Sequence, residues 1–338
     1  MSVYELLGRF GIRDTGARRV STGVSAPVLG LLLAAAIFLV VGSLSSDLFA
    51  ELTVKGIAQG GVYGGLALAL VLIYRATGVI NFAQGEMAMA TTYVAYQLTV
   101  WGLSYWPAFF LTLVFAFVFG VVTQQLVIRP VQHRSVIAVV IVTVGLFSLI
   151  DGIVVWIWNA DPKFMPSPFA GDVYTVGGVI VSRTDLGTIA VALGSVLVLW
   201  LFFQFTKLGL AMRAAAVRPA AARLVGVRVN WMLALGWGFA AVLGAVAGLM
   251  TEPSQFLQPT MMQAILIYAF AAAVLGGLES PAGAVIGGLL LGVFLNLLGQ
   301  YVGFATSELR LPIAFAVLLV VLLIKPTGLF GRKQVRRV

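Results

Sequence analysis

The stretch "GGVYGGLALALVLIYRATGVINFAQGEMAMATTYVAY", residues 60–96, contains two apolar runs separated by a short polar break. The first run begins near residue 52 and the second ends near residue 100, so each approaches the roughly 20 residues that a helix needs to cross a bilayer. The break contains Asn81, Gln84 and Glu86 beside two glycines. Such a break is typical of membrane helices that are interrupted where the backbone lines a cavity or is buried in protein.

The same apolar character continues along the whole chain. Of its 338 residues, 61% are hydrophobic and 10% are charged, whereas soluble domains are about half apolar and about a quarter charged. The apolar runs cover residues 27–45, 52–74, 84–100, 107–128, 136–158, 186–206, 231–251, 261–278, 282–300 and 310–324. We therefore expect an all-α polytopic membrane protein with about ten transmembrane helices. The short third, eighth and tenth runs predict tilted, broken or re-entrant segments.

Lysine and arginine are distributed unequally between the two sides of this pattern. If the N-terminus is inside, the outer side holds four of the 21 basic residues, and the other 17 are inside. The four are Lys55, Lys163, Arg183 and Arg310. Because basic residues collect in cytoplasmic loops, we expect both termini in the cytoplasm. The expected organisation is a basic segment over 1–26, one transmembrane domain over 27–324 and a basic tail over 325–338.

Residues that would carry common enzyme chemistry are scarce. The chain contains no cysteine and a single histidine, His133, so a disulfide framework, a thiolate nucleophile and a zinc cluster are excluded. It also lacks the Gly-Lys pair of a phosphate-binding P-loop. We therefore expect a protein that is not an enzyme and that binds no metal and no nucleotide. The net charge of +9 reflects membrane topology rather than nucleic-acid binding.

A compact basic segment, "LGLAMRAAAVRPAAARLVGVRVN" at 208–230, separates the sixth and seventh apolar runs. Pro219 suits the first turn of a helix, alanine propagates it, and Gly226 suits a left-handed C-terminal cap. A short helix over 219–225 is expected. Its arginines recur every five residues, at 213, 218, 223 and 228, so they surround the helix instead of lining one face. By charge alone, the segment is equally consistent with a membrane anchor and with a surface for a partner.

Four stretches, in this order, resemble the permeases of ABC importers for branched-chain amino acids. They are residues 60–96, "MRAAAVRPAAARLVGVRVNWMLALGWGFAAVLGAVAGLM" (212–250), "AFAAAVLGGLESPAGAVIGGLLLGV" (269–293) and "KPTGLFG" (325–331). The similarity extends from about residue 52 to residue 331. It is specific for the permease subunit whose helix break reads INFAxGE. That family usually has histidine where this chain has Gln84, which argues against a histidine-based role there.

The resemblance implies an ABC-importer permease fold in the inner membrane of a bacterium or archaeon. It implies ABC ATPase subunits that bind ATP and Mg²⁺, a second permease subunit (identical or companion) and an extracytoplasmic solute-binding protein as partners. It further implies that the loop at 207–230 couples to the ATPase. The implied contact residues are Arg213, Arg218, Pro219, Ala221, Ala222, Arg223, Leu224 and Gly226. Permeases for urea, amides or another small polar solute are an alternative, and an ion-gradient-driven secondary transporter is an alternative of another class.

Polar residues inside the apolar runs are candidates for the translocation path, because polar groups at membrane depth tend to face a cavity or the bundle interior. The candidates are Asn81, Gln84, Glu86, Asp151, Glu279 and Asn296. Each also has a structural interpretation: Asn81 and Gln84 as caps of the break, Glu86 as a helix-start acid, and Glu279 at the inner surface. For Asp151, the alternative is a hydrogen bond to Ser148 or Thr143, and for Asn296 it is likewise a packed hydrogen bond.

Overall fold

A computed structural model describes residues 46–132, 134–301, 309–325 and 327–331. Its elements are α1 Ser46–Thr77, α2 Gln84–Val100, α3 Tyr105–Thr123 with a π-helical turn Gln124–Ile128, α4 Val136–Trp158, β1 Val173–Val176, β2 Val179–Ser182, α5 Arg183–Phe205, α6 Lys207–Val217, α7 Pro219–Leu224, α8 Val229–Thr251 with a 3-10 turn Glu252–Ser254, α9 Gln263–Gly276, α10 Pro281–Tyr301 and α11 Arg310–Ile324. The described residues do not include the expected basic segment at 1–26, the expected first span at 27–45, His133 or most of the basic tail.

Every expected span within the described residues corresponds to one helix. Within the part of the chain that the structure describes, six helices are long and apolar enough to cross a membrane, namely α1, α3, α4, α5, α8 and α10. Helices α2, α9 and α11 have only 17, 14 and 15 residues, which agrees with the short third, eighth and tenth runs. The fold class is confirmed, and the count of about ten spans is approximate.

Glycines bring α1 and α10 into close contact at the centre of the bundle. Gly60 and Gly64 of α1 face Gly288 and Gly292 of α10. A Cβ on Gly60 would lie 2.8 Å from the Gly288 carbonyl oxygen, and one on Gly64 would lie 2.9 Å from the Val285 oxygen. Small residues drive helix association in membranes because they let backbones approach closely. Helices α1 and α8 are mostly buried, whereas α4 and α5 are mostly exposed and form the periphery.

A two-stranded hairpin precedes α5, as the stretch "VYTVGGVIVS" with its two central glycines predicts. Val173 pairs with Ser182 and Val176 pairs with Val179. The two connecting residues, Gly177 and Gly178, have φ of 61° and 90°. A tight hairpin turn needs this left-handed backbone, which glycine adopts without steric cost.

Candidate coupling surface and translocation path

Arginine side chains gather at one end of the bundle, which we call the basic end. There the last turn of α1, the π-helical turn of α3 and the first turns of α8 and α10 meet helices α6 and α7. Arg75 and Arg213 line one cavity together with the first turns of α8 and α10. A second cavity, of about 300 Å³, is lined by Arg129, Arg223 and Arg228. The arginines of the basic segment therefore point in different directions, as their five-residue spacing predicts.

The segment between α5 and α8 folds as two short helices rather than as the one short helix that was expected. Helix α7 occupies Pro219–Leu224, close to the expected 219–225. Helix α6, Lys207–Val217, was not expected. The hydroxyl of Thr206 accepts a hydrogen bond from the Gly209 amide at 3.0 Å and caps its first turn. A capping threonine before an alanine-rich run is the sequence signal that could have identified α6.

Helix α7 ends in two hydrogen bonds that define a Schellman motif. The amide of Val227 donates to the Ala222 carbonyl at 3.0 Å, and the amide of Gly226 donates to the Arg223 carbonyl at 3.1 Å. Gly226 has φ of 83°, which confirms the expected left-handed cap. The motif fixes the direction in which the chain leaves α7 for α8.

A small apolar core holds α7 against its neighbours. Ala215 of α6, Ala222 of α7 and Val229 of α8 are buried together, and Val227 and Met232 pack against them. Ala222 is only 4% exposed, so it faces the protein's own interior. It therefore supports α7 from within, whereas the resemblance implied that it would touch the ATPase.

Apolar side chains just before α7 and at its end are exposed next to arginines. Leu224 is 89% exposed, Val225 78% and Val217 66%. We call these three residues the apolar tip. Arg218, Pro219, Ala221, Arg223, Gly226 and Arg228 are also exposed around it. Val217 and Val225 were missed because sequence alone did not show which side of the segment is buried.

Arg213, like Ala222 among the implied contact residues, lies away from the apolar tip. It is half-buried, and its Nη1 donates to Oε1 of Gln204 at 3.2 Å. Its place in the cavity beside Arg75 separates it from the exposed face of α7. The structure therefore divides the implied contact set into an exposed group and the two inward residues Ala222 and Arg213.

Asn81 and Gln84 stabilise the break between α1 and α2, and both are fully buried. Nδ2 of Asn81 donates to Oε1 of Gln84 at 3.1 Å, and the amide of Ala83 donates to Oδ1 of Asn81 at 3.1 Å. Nε2 of Gln84 donates to the carbonyl of Ala240 at 2.9 Å. Ala240 lies near the middle of α8, so this contact attaches the start of α2 at about half the depth of the bundle. Asn81 therefore bonds to the backbone within the break, whereas the side-chain amide of Gln84 joins the break to α8.

Glu86 is buried in the first turn of α2. It is 1% exposed, and neither carboxylate oxygen has a hydrogen-bond partner among the described residues. The side chain of Gln263 in α9 approaches the carboxylate without forming a hydrogen bond of good geometry, and Asp151 of α4 lies within electrostatic reach of it. The hydroxyl of Tyr93, two turns further along α2, is also buried without a partner in the described chain. Unpaired polar atoms in a buried site are costly, and at membrane depth they indicate a functional site.

The short helices α2 and α9 begin close together beside Glu86. A Cβ on Gly85 would lie 3.2 Å from Cβ of Leu266 and 3.4 Å from the Met262 carbonyl oxygen. Both helices therefore start near the level of Ala240 in α8. The amino end of a helix carries free N–H groups and partial positive charge, while Glu86 and Asp151 supply carboxylates. Together these groups match the two ends of a zwitterion.

The other path candidates lie elsewhere. Nδ2 of Asn296 donates to Oε1 of Gln59 and to the Gly292 carbonyl, both at 2.9 Å, so it joins α10 to α1. Glu279 is exposed in the turn between α9 and α10 at the basic end, which agrees with the surface interpretation. Ser148 and Thr143 donate to backbone carbonyls of their own helix. Their hydroxyls therefore donate to the backbone and not to Asp151, unlike in the hydrogen-bonding interpretation of Asp151.

Comparison with known proteins agrees with this architecture. Residues 52–322 match the family described as "Branched-chain amino acid transport system / permease component". The chain is 30% identical to the high-affinity branched-chain amino acid transport system permease protein LivH of Salmonella typhimurium, over 86% of this chain and 98% of that protein. It is 30% identical to the corresponding permease BraD of Pseudomonas aeruginosa, over 84% of this chain and 96% of that protein.

One solved structure, PsaBC from Streptococcus pneumoniae in complex with Fab, contains a chain that aligns with 87% of this chain and 97% of its own length. The TM-score is 0.46 at 16% sequence identity, which adds nothing to the family assignment. The assignment rests on the family match and on the two permeases, each of which is aligned over nearly its whole length. The chain belongs to the branched-chain amino acid transport permease family.

Proposed function

We propose that this chain is the membrane subunit of an ATP-driven importer of branched-chain amino acids and that α7 is the surface on which an ABC ATPase docks. The observation that carries the docking proposal is the apolar tip. Leu224 and Val225 are almost fully exposed on a helix at the basic end. Exposed apolar groups rimmed by charge mark protein interaction sites. The surrounding arginines complement acidic side chains on a partner and accelerate its association.

The packing around α7 connects the proposed ATPase-binding surface to the proposed translocation path. Ala222 and Val229 share the small core that joins α7 to the first turn of α8. Helix α8 in turn accepts the Gln84 hydrogen bond at Ala240, so a displacement of α7 reaches the start of α2 through α8. Closure of the ATPase dimer around ATP and Mg²⁺ would supply this displacement. In this proposal the permease chain itself binds neither ATP nor Mg²⁺.

The groups around Glu86 are the proposed contact for cargo inside the membrane. A branched-chain amino acid carries an ammonium, a carboxylate and an aliphatic side chain. Glu86 and Asp151 attract the ammonium, and the amino ends of α2 and α9 attract the carboxylate. The extracytoplasmic binding protein provides most of the selectivity, and a second permease subunit completes the path. Both termini are cytoplasmic in this arrangement, because the basic end faces inward.

The docking proposal is tested by the double variant Arg223→Glu/Leu224→Asp. The variant should insert into the membrane in normal amounts, yet lose leucine uptake and co-purification with the ATPase. Normal uptake by the variant would overturn the docking role. In proteoliposomes containing the ATPase and the binding protein, uptake should require ATP and should persist when an ionophore collapses the ion gradients. Collapse of uptake with the gradient would favour the secondary-transporter alternative, and competition by urea or amides would identify other cargo.

A further inference from the structure

A largely apolar cavity of about 550 Å³ lies at the basic end. It is enclosed by α1, α5, α6 and the first turns of α8 and α10, and most of its wall consists of side chains such as Leu72, Val196, Phe203 and Val285. Its volume falls in the range of about 300–1,000 Å³ that holds small molecules. The cavity is separate from the buried groups around Glu86, because none of its lining residues comes from α2, α4 or α9.

Two guanidinium groups occupy the polar part of this cavity. Arg213 makes one hydrogen bond, to Gln204, and its Nε is buried without an acceptor among the described residues. Arg75 is half-buried and lies within electrostatic reach of both Arg213 and Glu279. Glu279 attracts Arg75, whereas the two guanidinium groups repel each other. Because a buried unpaired guanidinium nitrogen is costly, this polar part is complementary to an additional anion.

The cavity opens toward the bilayer. Leu197 and Trp200 of α5 are each 54% exposed, and Ile286 of α10 is 39% exposed. All three line the cavity and belong to helices that can span a membrane. An exposed apolar rim on such helices faces hydrocarbon, so the occupant enters from the lipid and must itself be apolar along most of its length.

We propose that this cavity binds one anionic phospholipid, with an acyl chain in the apolar part and the phosphate against Arg75 and Arg213. Guanidinium groups bind phosphate oxygens through paired, charge-assisted hydrogen bonds. A phospholipid with net negative charge is the bilayer component that combines an anionic head with a long hydrocarbon tail. The basic end places the two arginines at the leaflet whose anionic lipids attract basic residues.

The bound lipid would also support the coupling surface. Met212, Arg213 and Ala216 of α6 line the cavity, while Ala215 of the same helix belongs to the core that holds α7. Filling the cavity therefore restrains α6 and, through it, α7. This regulatory consequence rests on the proposed docking function, but the binding of the lipid does not.

The binding is tested on the purified full-length chain in detergent. Native mass spectrometry and thermal unfolding are recorded with phosphatidylglycerol, with phosphatidylcholine, with inorganic phosphate and with leucine. Phosphatidylglycerol should be retained and should raise the midpoint of unfolding, and the other three should not. Arg75→Gln/Arg213→Gln should weaken this retention about 30-fold, as expected for the loss of two basic contacts with an anionic headgroup. Arg129→Gln/Arg228→Gln, in the other arginine-lined cavity, is the matched control and should retain the lipid.

A second variant tests the apolar part without changing charge. Gly236 lies in the wall, and a Cβ there would have Met212 Cε as its nearest neighbour, at 3.9 Å. Gly236→Leu should therefore fill the cavity without a clash, keep the fold and displace the lipid. Phosphatidylglycerol retention by Gly236→Leu or by Arg75→Gln/Arg213→Gln that equals retention by the unsubstituted chain would overturn the proposal. Equal retention of phosphatidylcholine, or stabilisation by phosphate or leucine alone, would overturn it as well. A loss of lipid retention with normal ATPase binding would overturn only the regulatory consequence.

Discussion

Shortening a side chain of the apolar tip should weaken ATPase binding. The size of the loss depends on how exposed that side chain is before the ATPase docks. Leu224→Ala removes about three carbon groups, each contributing about 0.8 kcal/mol when buried. Because Leu224 is 89% exposed before docking, nearly all of this burial would occur at the interface. The expected loss is about 2 kcal/mol, or roughly 30-fold in Kd. Val225→Ala, at 78% exposure, should cost about 1 kcal/mol, or roughly 5- to 10-fold.

The assay is a titration of the cognate ATPase onto the detergent-solubilised permease, read by surface-immobilised binding or microscale thermophoresis. Leu323→Ala is the matched control: Leu323 is 84% exposed but lies near the end of α11, a helix that packs against α9 and α10, so the Kd of this variant for the ATPase should be unchanged. Thermal unfolding of all variants should be similar, because an exposed side chain contributes little to folding. A Kd for Leu224→Ala within twofold of the unsubstituted chain, or an equal loss in Leu323→Ala, would refute docking through the apolar tip.

Three further outcomes are expected. Glu86→Gln should lower leucine uptake in proteoliposomes at least about tenfold while ATPase binding stays normal; unchanged uptake would remove Glu86 from the path. Gly60→Leu should lower the unfolding midpoint strongly, because its Cβ would lie 2.8 Å from the Gly288 carbonyl oxygen; an unchanged midpoint would contradict the close α1–α10 contact. Gly226→Ala, at φ of 83°, should cost about 1 kcal/mol and speed hydrogen exchange of the Val227 amide, whereas equal exchange would argue against the Schellman cap.

The helices were predictable from the sequence because a membrane-spanning helix requires a long apolar run, and such runs are visible in the sequence. The apolar runs at 136–158 and 310–324 coincide with α4 and α11. The short α2 and α9 were visible as runs below the length of a full span. Pro219 and Gly226 marked the ends of α7 because each has a strong local conformational preference. Helix α6 was missed because the basic segment was interpreted by its charge rather than by its alanine content and its capping threonine.

The candidate site was less predictable because burial and pairing depend on tertiary contacts. The sequence places Asn81, Gln84 and Glu86 in one break, yet the first two are hydrogen-bonded and the third is not. Ala221 and Ala222 are adjacent and chemically identical, but one is exposed and the other is in the core. The cavity beside Arg75 and Arg213 brings together segments from five helices, which local patterns do not reveal.

The central claim is that α7 lies in the cytoplasm and contacts the ATPase. The chain contains no cysteine, so Ala221→Cys introduces a unique thiol on the exposed face of α7. The account predicts that a membrane-impermeant maleimide leaves this thiol unlabelled in sealed cells, labels it in inverted vesicles stripped of ATPase, and is blocked when the ATPase is added back. Labelling from outside sealed cells, or equal labelling with and without bound ATPase, would contradict the account.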